Sequence, residues 1–387
     1  MRTNLCVNSS LRLTFKACVA IAVVAAVCGV CGMAATSLVA GDAKDKQPDP
    51  KLYQATVDRA TAFLTARQTK DGALSPEMGI GPTALAALGL LRTGHTADDP
   101  QVAKMLAYLQ SCAQETGGIH QPKSYVANYE TCVALICFKE ANRDGRYDKL
   151  IRRAEAFVRG GQWDEARGKD KADLNYGGVG YGAKSQPDLS NTAFLVDALK
   201  ECGAAADDKA VQKALVFVSR CQNLESEHNT TKYAAKINDG GFYYSCVLGR
   251  NDTTRETPDG GQRSYGTMTY SGLKSMLYAG LTKDDPRVKA AEEWIRKHYD
   301  VKSNPGMGDA GLFYYYLTFS KTLSALGLDE VEDAQGVKHD WRRELIEELA
   351  ARQQSNGSWS NKDNRWFEGD PNLATAYALL ALSYSKR

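Results

Sequence analysis

The chain has 387 residues, 43% of them hydrophobic and 24% charged, which is enough apolar content for a sizeable core without disulfide or metal staples. Its formal net charge is +2, and its Lys, Arg, Asp and Glu residues are scattered. There is no basic stripe for a phosphate backbone to lie on, which argues against nucleic acid as a partner.

In chain order, residues 1–40 stand apart. Arg2, Arg12 and Lys16 precede an uncharged run from Ala17 to Ala40, the pattern of a positive n-region followed by an apolar h-region. The expected destination is secreted or periplasmic. Residues 1–40 then serve either as a cleaved signal peptide or as an N-terminal anchor, with residues 17–40 tethering the protein to a membrane. Residues 41–52, rich in Asp, Lys and Pro, read as a linker. Four of the ten cysteines (Cys6, Cys18, Cys28, Cys31) fall in the targeting segment. In the body, Cys132, Cys137 and Cys202 read as small buried apolar residues.

From residue 53 to 387 a unit recurs six times: an amphipathic helix closed by Gln or a similar residue, a Gly-rich loop, and a small apolar helix. The first unit spans Tyr53 to Gln68, Asp71-Gly72, and Thr83 to Leu91. The second spans Val102 to Gln110, Gly117-Gly118, and Tyr129 to Phe138. The third spans Leu150 to Gln162, Gly177-Gly178, and Asn191 to Leu199. The fourth spans Val211 to Gln222, Gly240-Gly241, and Thr269 to Ala279. The fifth spans Val288 to His298, Gly306 to Gly311, and Leu312 to Leu326. The sixth spans Trp341 to Gln353, Asn356-Gly357, and Leu373 to Tyr384. First helices carry apolar residues at three-to-four spacing, as at Val57, Ala60 and Leu64, so one face meets water. Second helices are apolar nearly all round and require burial on both sides. The fold class this predicts is all-α: an (α/α)6 toroid of six helical hairpins, with an outer ring, an inner ring, and the Gly-rich loops gathered at one mouth. The repeat would bring Cys112 near Cys132 and Cys221 near Cys246. The stretch from Asn223 to Arg263 exceeds an ordinary connection and reads as a lid or binding loop.

Gln354-Ser-Asn-Gly-Ser-Trp359, followed by the apolar run Leu373 to Leu382, resembles the Gln-Trp repeat of the squalene-hopene cyclase and prenyltransferase family, with weaker copies beginning at Gln68 and Gln162. The resemblance covers most of residues 53–387. It implies a central pocket for an isoprenoid or other lipid-like molecule. Cyclases of that family protonate an alkene with an aspartic acid in Asp-x-Asp-Asp-Thr-Ala. Here the matching segment is Asp188-Leu-Ser-Asn-Thr-Ala193, with Ser190 where the family has its protonating acid and Asn191 beside it. A hydroxyl cannot be brought into the required acidity range by environment. Asp188 is thus the one catalytic candidate, and Asp, Ser and Asn at this place equally suit a helix N-cap.

The resemblance and the repeat phase together place Ser190, Asn191, Tyr270, Asp309, Phe313, Tyr315 and Trp366 at the mouth as ligand-binding candidates. Two other readings stay open. A glycan-cleaving enzyme would draw a carboxylate pair from Glu130, Asp188, Asp239, Asp309, Glu368 and Asp370, and a non-catalytic scaffold would have a filled centre. No cofactor is expected. The five histidines (His95, His120, His228, His298, His339) are isolated, so no metal site is expected either.

Overall fold

The computed structural model describes residues 49–247 and 255–386. The expected targeting segment, and the linker as far as residue 48, lie outside the described residues. Helix α1 (Pro50–Arg67) starts three residues before the expected body boundary at Tyr53. The reason is local: Asp49 caps the Lys51 N–H and Pro50 supplies a preset φ at the first turn.

The helices then alternate in character. Outer helices α1, α3 (Pro100–Ser111), α5 (Asp148–Gly160), α7 (Lys209–Arg220), α10 (Pro286–Lys297) and α12 (Trp341–Arg352) bury a single stripe. Inner helices α2 (Gly81–Arg92), α4 (Ala127–Ala141), α6 (Leu189–Glu201), α9 (Gly266–Tyr278), α11 (Leu312–Ala325) and α13 (Pro371–Ser385) are buried along almost their whole length. A single-turn helix, α8 (Ala234–Ile237), lies in the connection between α7 and α9. Among the described residues, strand is confined to isolated bridges and one antiparallel pair, Val331–Glu332 with Lys338–His339. No described helix is long and apolar enough to cross a membrane.

The inner helices pack in cyclic order, α2 on α4, α4 on α6, α6 on α9, α9 on α11, α11 on α13 and α13 back on α2. The fold is therefore a closed α/α toroid. Outer helices lie across its seams, as α5 does against α4 and α6, and α7 against α6 and α9.

Two repeated side-chain contacts hold this ring, and both are written in the sequence unit. Just beyond α1, α5, α7 and α12, the Nε2 of Gln68, Gln162, Gln222 and Gln353 donates to the carbonyl of the loop glycine (Gly72, Gly177, Gly240, Gly357). The same nitrogen donates to a carbonyl of the next outer helix, at Gln101, Ala210, Arg287 and Thr56 respectively. The Gln353 bond to Thr56, 3.0 Å long, joins the last unit to the first. Gly357 has φ +88°, and a Cβ there would run into the Arg59 carbonyl of α1, so this close approach demands glycine. The second contact is a threonine on each of five inner helices. Thr83, Thr131, Thr192, Thr269 and Thr375 accept the N–H of Leu74, Ile119, Val179, Phe242 and Trp359 at 2.9–3.2 Å, which satisfies loop amides that would otherwise be buried unpaired. The fifth connection departs from this pattern: Asn304 instead ties it to Thr267 at the start of α9.

Outer-to-inner connections (68–80, 112–126, 161–188, 221–265, 298–311, 353–370) are long, whereas inner-to-outer ones (93–99, 142–147, 202–208, 279–285) are short; only 326–340, which holds the strand pair, is longer. Because the helices alternate in direction, every outer-to-inner loop and every inner-helix N-terminus falls at one end of the ring.

Candidate functional site

At that end is a cavity of about 350 Å3. Its walls come from the first two turns of the inner helices, including Pro82, Tyr129, Phe194, Met268, Tyr314 and Tyr377, and from the long loops, including Met78, Tyr181, Tyr244 and Tyr265. The deep wall is aromatic. Phe194 stacks on Tyr314 with ring centres 5.8 Å apart and planes 9° from parallel. Tyr129 meets Phe194 edge-on at 5.2 Å, and Tyr377 closes on Tyr314 at 5.6 Å. The Tyr314 hydroxyl pairs with Ser190 Oγ at 2.9 Å, and burial pushes that phenol well above the ordinary tyrosine value.

The rim is apolar and exposed. Tyr125, Trp366 and Phe367 line the cavity while showing 79%, 40% and 58% of their surface to solvent. Trp366 (φ +60°) and Phe367 (φ +65°) both occupy the left-handed region, a strained conformation for aromatic residues. The Trp366 ring sits where a Cβ on Gly311 would touch it at 3.0 Å, so glycine at the start of α11 makes room for the indole.

Ser190, Asn191 and Trp366 line this cavity. The other sequence candidates fall elsewhere. Asp188 is fully buried as the N-cap of α6, its Oδ1 accepting the Asn191 N–H at 2.8 Å and both oxygens accepting from Asn191 Nδ2 at 3.0 and 2.9 Å. It does not line the cavity, so its position is that of a cap rather than of an acid facing a ligand. Tyr270 packs edge-on against Tyr315 and Phe319 behind the wall, Tyr315 donates its hydroxyl to the Asp300 carbonyl at 2.6 Å, and Phe313 packs against Tyr316. Asp309 is exposed on a loop, where its carbonyl accepts from Asn361. A helix turns about 100° per residue, so within the aromatic run Phe313 to Tyr316 only Tyr314 reaches the cavity.

The remaining acids are also employed by the scaffold. Glu130 Oε1 accepts the Ile80 N–H at 2.8 Å at the entry to α2, and Asp370 caps α13 through Leu373 N at 2.8 Å. Asp239 accepts from Gly241 N, Ser264 and Trp294. Glu368 alone among the described carboxylates lines the cavity. It accepts the Tyr314 N–H at 2.8 Å, the Phe313 N–H at 3.1 Å and Asn361 Nδ2 at 2.8 Å, which caps α11. Burial pushes its carboxyl above the ordinary glutamate value despite these donors.

The long fourth connection forms part of the wall, supplying Tyr244 and Tyr265. It is pinned by Leu189 N to the Tyr244 carbonyl at 2.8 Å and by Ser245 Oγ to the Pro187 carbonyl at 2.8 Å. Cys221 and Cys246 are side by side as reduced thiols, and burial together with this neighbour pushes the Cys221 thiol up.

Below the Phe194–Tyr314 partition the inner ring changes character. A narrow space of about 30 Å3, sharing those two residues with the mouth cavity, is lined by Arg92, Asp197, Lys274 and Lys321. Asp197 accepts from Lys274 at 2.5 Å and pairs with Lys321 at 2.8 Å, all three being buried. Burial alone would raise the Asp197 carboxyl, but the two ammonium charges hold it below the usual carboxylate range. Arg92 pairs with Glu140 at 2.9 Å and Glu201 at 2.7 Å and also contacts the Tyr384 hydroxyl.

No protein-family model matches the chain, and no curated protein matches it in sequence. Solved structures do match in fold. The type II terpene cyclase MstE from Scytonema, in complex with geranylgeranyl dihydroxybenzoate, superposes with a TM-score of 0.53 at 12% identity, covering 87% of this chain and 97% of its own. A D-mannose isomerase gives 0.53 at 11% identity, covering 87% and 97%. A family 76 glycoside hydrolase from a bovine Bacteroides thetaiotaomicron strain gives 0.50 at 13% identity, covering 85% and 78%. At such identities the likeness is one of fold.

Proposed function

We propose that this protein binds an isoprenoid or similar lipid-like molecule in the mouth cavity and that it acts after export, as residues 1–40 suggest. The observation that carries the reading is the lining itself: a cavity of about 350 Å3 with an aromatic deep wall, an exposed apolar rim and, among the described residues, a single carboxyl. Apolar chain burial is favourable at about 25 cal/mol per Å2, and the rim gives such a chain a path to the interior. Glycoside cleavage needs two carboxyl groups facing each other across the substrate. Among the described residues Glu368 has no such counterpart in the lining, which weighs against the glycan reading. A scaffold with a filled centre would leave no cavity of this size. One of the fold neighbours binds a geranylgeranyl substrate, which supports a lipid-like ligand here. Alkene protonation by the family's acid is not part of the proposal, because Ser190 stands at that place and is hydrogen-bonded to Tyr314.

The test is a titration of the purified protein with geranylgeraniol and with mannose oligosaccharides, followed by tryptophan fluorescence and native mass spectrometry. The prenyl alcohol is expected to bind, and Ser190→Trp, which fills the cavity, to abolish binding. Saccharide binding without prenyl binding would sink the proposal.

A further inference from the structure

The connection between α7 and α9 doubles back on its own beginning. Cys221 is the C-cap of α7, and Gly241 to Val247 return alongside it. Main-chain bonds fix that return: Tyr243 N donates to the Cys221 carbonyl at 3.0 Å, Asn223 N to the Gly241 carbonyl at 2.8 Å, and Gly240 N to the Asn223 carbonyl at 2.8 Å. The Tyr243 hydroxyl adds a bond to the Arg220 carbonyl at 2.8 Å. Next along the returning segment comes Cys246, whose thiol and main-chain N–H both hydrogen-bond toward the Cys221 sulfur. The Cys246 thiol also reaches the Leu174 carbonyl at 3.5 Å, and both cysteines are fully buried.

This contact lies directly behind the mouth. Tyr244 lines the cavity, its carbonyl accepts the Leu189 N–H at 2.8 Å, and Ser245 Oγ donates to the Pro187 carbonyl at 2.8 Å, so the segment joins the end of α7 to the entry of α6. A reduced pair adds little to that joint, because a thiol is a weak donor and a weak acceptor. A sulfur–sulfur bond would hold it covalently. It would also close the loop 222–245 in the unfolded chain, which is where the chain-entropy model places the stabilisation by a disulfide.

We infer that Cys221 and Cys246 form a structural disulfide in the exported protein, closed while the segment folds, and that this bond locks the Tyr244 wall of the cavity to α7. The inference rests on the reading that the chain acts after export, since an oxidising compartment is where such a bond persists. The chemistry is exchange with an incoming disulfide, either oxidised glutathione or the disulfide of a thiol oxidoreductase. One cysteine, as thiolate, attacks that disulfide, forms a mixed disulfide and releases one thiol. The other, after losing its proton, attacks the chain's own sulfur in the mixed disulfide, and the second thiol leaves as the Cys221–Cys246 bond forms. The pair loses two electrons and two protons, which the incoming disulfide takes up. Burial sets the timing. In the packed loop neither sulfur meets solvent, and burial together with the neighbouring sulfur holds the Cys221 thiol well above its ordinary value, so no reactive thiolate is presented.

The experiment makes the full chain in a bacterium, separates cytoplasm from periplasm, blocks free thiols at lysis and maps tryptic peptides by mass spectrometry. Trypsin cuts after Lys232 and Lys236, between the two cysteines, so the bond appears as a pair of linked peptides. Linked peptides are expected in most of the exported molecules. In the folded protein the bond should survive reduced glutathione and open only when denaturant is added. After unfolding, reduction and refolding, the reduced form should melt about 4 °C below the oxidised one, as a loop of this length implies in a chain of this size. Export with both thiols free, or with either cysteine paired elsewhere, would overturn the inference and leave the export reading standing. A bond that reduced glutathione opens in the folded protein, or equal melting of the two forms, would overturn its structural role. Retention in the cytoplasm with both thiols reduced would bring down the export reading and this inference with it.

Discussion

The two ends of the inner ring are built from the same helices and differ in electrostatics. At the mouth, where the inner helices begin, the charged groups nearest their ends are acids: Asp188 on α6, Glu368 on α11, Asp370 on α13 and Glu130 against the entry to α2. At the rear, where the inner helices end, bases are paired with acids: Lys274 on α9 and Lys321 on α11 with Asp197, and Arg92 on α2 with Glu140 and Glu201. The parallel arrangement of the inner helices explains this. Their unsatisfied N–H groups and positive dipole ends collect at one end, and their carbonyls and negative dipole ends at the other. The comparison teaches that carboxylates at the mouth of such a ring are first of all caps. A group of acids there is expected from the helix ends alone and does not by itself indicate a catalytic pair.

The largest effect should come from breaking the rear cluster. Asp197→Ala leaves Lys274 and Lys321 buried without their shared counter-ion, and a loss of about 3–5 kcal/mol in unfolding free energy is expected by urea titration. A loss below about 1 kcal/mol would mean that the cluster is hydrated rather than sealed, which would erase the contrast between the ends.

Next in size is a pair of glycine substitutions that compares the backbone at the two ends. Gly357 at the mouth and Gly94 in the rear connection between α2 and α3 both have positive φ, +88° and +117°. A Cβ on Gly94 meets nothing within 4 Å, whereas one on Gly357 meets the Arg59 carbonyl. Gly94→Ala should cost about 1–2 kcal/mol from conformation alone, and Gly357→Ala should cost more, because the seam that closes the ring must shift. Equal losses in thermal unfolding would show that the seam has slack.

The smallest effect is a difference in pH response. Asp197 has a depressed carboxyl, so its contribution is present above the ordinary carboxylate value and is lost as pH falls through its lower folded value. Glu368 has a raised carboxyl, so the folded protein holds a proton that the unfolded chain releases, and stability is lost as pH rises from the ordinary glutamate value through the folded one. On acidification from pH 7 to pH 3, the stability gap between wild type and Asp197→Asn should therefore narrow. The comparison with Glu368→Gln should move in favour of wild type. If both gaps move in the same direction, the two ends do not differ as described.

The sequence by itself determined the alternation of helix types, the ring, and the contacts that repeat with it. Gln at the end of an outer helix, Gly in the loop and Thr on the inner helix recur because each satisfies a backbone group that the fold would otherwise bury. The cavity face was also written there, though less plainly. Within inner helices that are apolar all round, Arg92, Asp197 and Lys321 are out of place. Stepping back from them by three or four residues reaches Leu88, Phe194 and Leu317, and by seven Leu85, Ser190 and Tyr314, which line the channel. Counting from loop glycines instead selects Tyr270, Phe313 and Tyr315, one residue away and about 100° off the face. Only the tertiary structure could decide which of the mouth acids are occupied as caps and that Arg365 lines one space with Arg255 and Arg263. These facts depend on where separate loops meet across a closed ring, and hydrophobic periodicity, a property of single helices, carries no information about that meeting.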